Sequence, residues 1–183
     1  MPASAVAVAN ELLRIAADKK IDDITPVKLQ KLLFFAQGWH LALTDLPLID
    51  EQFEFWPYGP VAPTAYFAFK DFSGNPIEGP AVKYLLSDWT HAEPVIPDLE
   101  SDFEGTAEER EYARNLLARV LDIYGRFSAT KLSNMSHAAG SPWDRVRSDW
   151  KGSPPRGTDI PVPLMKEHFR SLIAEGDAAG AAT

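Results

Sequence analysis

Residues 25–43 read TPVKLQKLLFFAQGWHLAL, and the way this stretch folds decides what the rest of the chain has to do. Thr25 is a residue type that caps helix N-termini, and Pro26 follows at the one helical position where a missing N–H costs nothing. Leu29, Leu32, Leu33, Ala36, Trp39, His40 and Leu43 then return at helical spacing to one face. Val27, Phe34 and Leu41 make a second apolar strip about 140° away, at about 100° per residue. Gln30 and Gln37 on one side, and Lys28, Lys31 and Gly38 on the other, keep the strips apart. A helix apolar on two sides belongs at the centre of a domain, wrapped by the remainder. The expected fold is mainly α: one compact helical domain over residues 1–175 around this buried helix, with a small β element near residues 53–57.

The chain has the means to build such a core. It holds 183 residues, 45% hydrophobic and 11% aromatic, enough for one domain. Its formal net charge of −8 argues against direct contact with nucleic acid, which needs a basic face, and suits a basic protein partner. With no cysteine there are no disulfides and no thiolate metal sites, as fits a reducing cytoplasm. The N-terminal MPASAVAVANELLRIAADKK places Glu11, Arg14 and Asp18 too early for a signal peptide and reads as an amphipathic helix. No segment approaches the roughly 20 apolar residues of a membrane span. The expectation is a soluble cytoplasmic protein that does not contact a membrane.

Working outward, a first helix is expected from Ser4 to about Lys19, with Val6, Leu13 and Ala17 facing inward. After the central helix, Phe53-Glu54-Phe55-Trp56 is aromatic enough for a short strand, which Pro57-Tyr58-Gly59-Pro60 must break. Val61–Phe72 reads as a short helix, with Ala65, Phe69 and Phe72 spaced for burial. Residues 80–90 are either helical or extended. From Glu93 to Glu111 there are eight acidic side chains and one arginine, the composition of a solvated linker. Thr106 and Glu109 form a capping box, and the helix it opens carries Ala113, Leu116, Leu117, Val120 and Tyr124 on one face before Gly125 ends it. Ser128 caps a helix to about His137. Ser141-Pro142 opens another, with Trp143, Val146 and Trp150 on one side. Lys151–Thr158 is a loop, Leu164–Glu175 a last helix, and 176–183 an Ala/Gly tail expected to be disordered.

Signals of catalysis are weak. The histidines (His40, His91, His137, His168) lack metal-ligand spacing, and His40 reads as a hydrogen-bonded core residue. Ser128-Ala129-Thr130-Lys131 matches a Ser-x-x-Lys pattern whose companion motifs are missing, and an N-cap role explains Ser128 better. Ser128, His137 and Asp144 could be drawn as a triad, though no spacing favours it. There is no glycine-rich phosphate loop. The reading is of a protein without catalytic residues, cofactor or metal, the alternatives being a hydrolase using Ser128 with His137 or His40, or a transcriptional regulator that the acidic charge disfavours.

The aromatic residues divide. Phe35, Trp39, Tyr124 and Trp143 fit core packing. Phe53, Phe55, Trp56 and Tyr58, with the second strip of the central helix, fit a protein-binding surface held rigid by Pro57, Pro60 and Pro63, since Trp and Tyr are enriched in binding hot spots. The candidate contact residues are Phe34, Leu41, Phe55, Trp56, Tyr58 and Pro60.

The stretch Thr25-Pro26-Val27-Lys28-Leu29-Gln30-Lys31-Leu32-Leu33-Phe34-Phe35-Ala36-Gln37-Gly38-Trp39 resembles the opening signature of the Panacea antitoxin domain, a family with GepA-like and SocA-type members. The resemblance continues through Phe53-Glu54-Phe55-Trp56-Pro57-Tyr58-Gly59-Pro60-Val61, Phe69-Lys70, Tyr124-Gly125, Ser128-Ala129, Leu132-Ser133, His137 and Ser141-Pro142-Trp143. It covers residues 25 to about 150 in order. It implies a mainly helical antitoxin that neutralises a small cognate protein toxin by direct contact. Some members of the family carry an added DNA-binding segment; no helix-turn-helix is visible here. The SocA-type branch further implies an adaptor that hands its toxin to the ClpXP protease, a role that the length, lone domain and Ala-rich tail suit.

Overall fold

A computed structural model describes residues 2–86, 92–150 and 153–181 (the backbone alone at 86 and 177–181). Among them it places eight α-helices and four short strands, so the chain is mainly helical with a minor β component. Helix α1 is Ala5–Asp18, entered through Ser4, whose Oγ accepts the Ala7 N–H at 3.2 Å. Alanine at 5, 7, 9 and 16 lets neighbouring elements close over it. Val6 is buried as expected, Leu13 half-buried and Ala17 exposed.

Helix α2, Pro26–Thr44, is the centre of the molecule. Thr25 Oγ1 accepts the Lys28 N–H at 3.3 Å, and Asp45 closes the C-terminus in the left-handed conformation with φ 66°. Every α2 residue from Lys28 to Gly38 is buried. Around it pack α1, α3 (Pro63–Phe69), α5 (Ala107–Tyr124), α6 (Ala129–Ser136) and α8 (Val162–Ala181). Gly38 is the notch that admits α8: a Cβ there would lie 2.1 Å from the Phe169 ring. Phe34, Phe35, Phe53 and Phe169 meet edge-to-face with centroids 5.7–6.2 Å apart.

The remaining elements are short. Strand β1, Phe53–Phe55, pairs antiparallel with β4, Thr158–Ile160, in the register Phe53↔Ile160 and Phe55↔Thr158. Strands β2, Lys83–Leu86, and β3, Ala92–Val95, form a hairpin whose described side chains are all exposed. Its two roots are fastened to α1 by one side chain: Asn10 accepts from Ala81 N–H at 2.8 Å and donates to Ala81 O and Pro97 O at 3.0 and 2.9 Å. Helix α4, Leu99–Asp102, and α7, Pro142–Asp149, complete the set.

Several expectations are corrected. The acidic run from Glu93 is no linker, because it contains β3 and α4, and Leu99 and Phe103 sink into the core as two apolar anchors among the acids. Of the two readings open for 80–90, the extended one holds where the chain is described, as β2; residues 87–90 lie outside the described residues, as do His91, Lys151 and Gly152. The 151–158 loop ends in β4, which exists because β1 offers an edge to pair with. The 61–72 helix narrows to α3 followed by a single 3-10 turn at Lys70–Phe72. Helix α8 does not stop at Glu175 but continues to Ala181, where the sequence reading expected disorder; an alanine-rich run favours the helix. Leu43 and Trp150, expected inward, are 53% and 47% exposed.

Candidate protein-binding surface

The polar residues of α2 do not face water. Lys28 and Lys31 are each 1% exposed, Gln30 3% and Gln37 1%, so between Lys28 and Gly38 the two strips they were expected to separate are one buried surface, with Val27 and Leu43 exposed at its ends. Each is satisfied by main chain of a segment that wraps the helix. Lys28 Nζ donates to Gly125 O at 2.7 Å and to Asp23 Oδ1 at 2.5 Å. Lys31 Nζ donates to Pro60 O at 2.9 Å. Gln30 Oε1 accepts the Ala62 N–H at 2.8 Å, and Gln37 Oε1 accepts both Leu48 and Ile49 N–H at 2.9 Å. The sequence carries a signal for this: a helix apolar on two sides leaves little room for a cation at the seam to reach solvent.

Two of these bonds belong to the turn after β1. Trp143 Nε1 donates to Trp56 O at 2.9 Å, Ser133 Oγ to Tyr58 O at 3.3 Å, and Lys31 and Gln30 hold Pro60 and Ala62. The turn is thereby fixed from behind by α2, α6 and α7. Gly59 sits at φ 105°, where a Cβ would come within 2.6 Å of Lys31 Nζ and 2.8 Å of Ser136 Oγ; only glycine lets the turn approach so closely. Burial holds the Lys31 ammonium down to a pKa of about 7. His137, against the Trp143 ring at 4.0 Å, has its pKa lowered by burial and by the charges of Lys31 and Arg147; among the described residues its Nε2 has no hydrogen-bond partner.

On the outer side the turn presents Tyr58, 79% exposed, beside Trp56, which is partly exposed. Trp56 stacks under the Arg156 guanidinium at 3.4 Å and meets Tyr66 edge-on at 4.6 Å; Tyr66 in turn touches Phe67, 58% exposed, with Lys70 5.4 Å from its ring. Arg156 and Phe67 carry no motif signal and are found only by the fold, since β4 brings 156 beside 56.

The six candidate contact residues therefore part company. Phe34 and Leu41 are each 1% exposed and Phe55 3%, stacked on Trp143 at 4.6 Å; Pro60 is buried as well. These four are core: Phe34 lies against Phe53 and Phe169, Phe55 against Trp143, and Pro60 over the buried Lys31. Trp56 and Tyr58 remain at the surface. The triad is not assembled: Ser128 Oγ caps α6 by accepting the Lys131 N–H, while Asp144 accepts from Gly140 N–H and Arg147. His40 is a buried core residue, its Nδ1 2.7 Å from Leu46 O. Among the described residues no cluster of three metal-ligating side chains occurs, and no helix is long and apolar enough to cross a membrane.

The family model described as "Antitoxin SocA-like, Panacea domain" matches residues 29–144, a span that holds Lys31, the 56–60 turn, Ser133 and Trp143. Antitoxin SocA of Caulobacter vibrioides (strain NA1000 / CB15N) is 35% identical over 164 residues, which is 90% of this chain and 81% of that protein. No solved structure matches the chain.

Proposed function

Because the chain belongs to the family of SocA-like antitoxins with a Panacea domain, we propose that it neutralises a small cognate protein toxin by direct contact, with the Trp56–Tyr58 turn in the interface. The observation that carries this reading is the pairing of partly exposed Trp56 and exposed Tyr58 and Arg156 with a backbone already held by four side-chain bonds. Aromatic and arginine anchors on a fixed backbone bind with little ordering penalty. The finer reading is that the chain acts in the cytoplasm as an adaptor, handing the bound toxin to ClpXP.

The test is to look for a small reading frame co-transcribed with this gene and to co-express its product. Wild type should restore growth and co-purify with that product. Tyr58→Ala and Trp56→Ala should each weaken binding about tenfold or more, the usual loss at a hot spot, with unchanged melting for Tyr58→Ala. Equal binding by both variants would place the interface elsewhere, and toxicity unrelieved by wild type would end the antitoxin reading. Depleting ClpX tests the adaptor role: the toxin's half-life in the presence of this chain should lengthen, whereas an unchanged half-life would mean neutralisation by blocking alone.

A further inference from the structure

Along the seam between the C-terminal half of α2 and α5, two hollows of about 520 and 400 Å³ adjoin, with Leu43 and Tyr112 lining both. Their walls are unusually apolar for a free surface: Leu46 is 58% exposed, Leu43 53%, and Tyr112 and Ile123 43% each. On α5 the inward stripe is Ala113, Leu117, Val120 and Tyr124. Tyr112, Leu116, Arg119 and Ile123 form a second stripe at i, i+4, i+7 and i+11, and α2 adds Trp39 and Leu43 at i and i+4. Of this stripe Leu116 packs partly against the core and Tyr112 meets the His40 ring at 6.2 Å, while the outer faces of Tyr112, Arg119 and Ile123 stand exposed. Eleven residues of helix measure about 16 Å, so the groove takes about three turns of a partner helix laid lengthwise.

The charge around the groove gives that helix a direction. Glu108 and Glu109 stand one turn before Tyr112 and are exposed, and Arg119 stands exposed toward the other end. Among the described residues Glu108 makes no ion pair. An occupant with basic side chains at its N-terminal end, where the helix dipole is also positive, meets both ends favourably. A second copy of this chain fits worse, because two molecules of formal charge −8 repel.

We propose that this groove receives an amphipathic helix of the cognate toxin, basic at its N-terminal end. The proposal rests on the antitoxin reading and adds a second contact to the Trp56–Tyr58 turn. Leu43→Glu and Ile123→Glu place a charge in the groove at positions open enough for the fold to accept it. Each should weaken capture of the co-transcribed product at least tenfold with melting unchanged, and Glu108→Lys should weaken it several-fold and flatten its salt dependence. In the complex, amides of the toxin helix and of α5 from Tyr112 to Ile123 should gain protection from hydrogen exchange. If wild type captures the product and both glutamate variants bind within twofold of it, the groove is not the site and the antitoxin reading survives. A dimer of the chain alone that Ile123→Glu dissociates would hand the groove to a second copy and overturn the proposal. Failure of wild type to capture the product removes the antitoxin reading, and this proposal with it.

Discussion

Lys31 is a cation placed where no described carboxylate meets it, and its pKa of about 7 against 10.5 in an open chain ties it to stability. Between those values the unfolded chain holds a proton that the folded chain has released, so stability from this group rises with pH across that window and is lowest below pH 7. One proton corresponds to a slope of about 1.4 kcal/mol per pH unit. Lys31→Met should lose that slope, so the stability of wild type relative to the variant climbs between pH 7.5 and 9.5 in urea titrations; parallel curves would mean that Lys31 stays charged. Gln37 gives a second case. Gln37→Leu keeps the volume but leaves the Leu48 and Ile49 N–H groups without their acceptor, an expected loss of about 1–3 kcal/mol. The amides of residues 48 and 49 should exchange faster than those of α1, and unchanged exchange would show that water replaces the amide.

At the scale of the element, the crossing of α2 and α8 turns on Gly38. Alanine would favour the helix by about 1 kcal/mol, yet its Cβ would fall 2.1 Å from the Phe169 ring. The clash should win, with Gly38→Ala destabilising by about 1–3 kcal/mol and Phe169→Leu in the same chain restoring part of it. A more stable single variant would show that α8 moves aside freely. What the sequence reveals about elements follows the same logic. Helices α2, α5, α6 and α7 are legible because each begins with a capping residue whose partner lies three positions on. Strand β4 is not, since Thr158-Asp159-Ile160 becomes a strand only by pairing with residues a hundred positions away. The binding surface is legible by half for a related reason. Local pattern marks Trp56 and Tyr58 as aromatic, but whether Phe34 or Phe55 is covered depends on where α8 and Trp143 arrive.

For the whole molecule, the formal charge of −8 is spread unevenly. Glu100 is tied to Arg110 and Arg114, and Glu11 to Arg14 and Arg114, while Glu93, Glu108 and Glu111 are exposed. With a basic partner, association should slow several-fold between about 50 and 500 mM salt while dissociation changes little, because screening acts on the approach. Stopped-flow mixing at the two salt concentrations checks this, and equal rates would mean that the acids serve only to keep the chain in solution. The way α2 holds its surroundings has a historical consequence. At Leu48, Ile49, Pro60, Ala62 and Gly125 it grips peptide groups, and Trp143 and Ser133 do the same at Trp56 and Tyr58. Peptide groups are the part of a loop that mutation leaves in place. The outward lettering of these loops can therefore be rewritten one residue at a time while the frame beneath keeps its hold, and a lineage that meets a new adversary need not rebuild its scaffold to answer it.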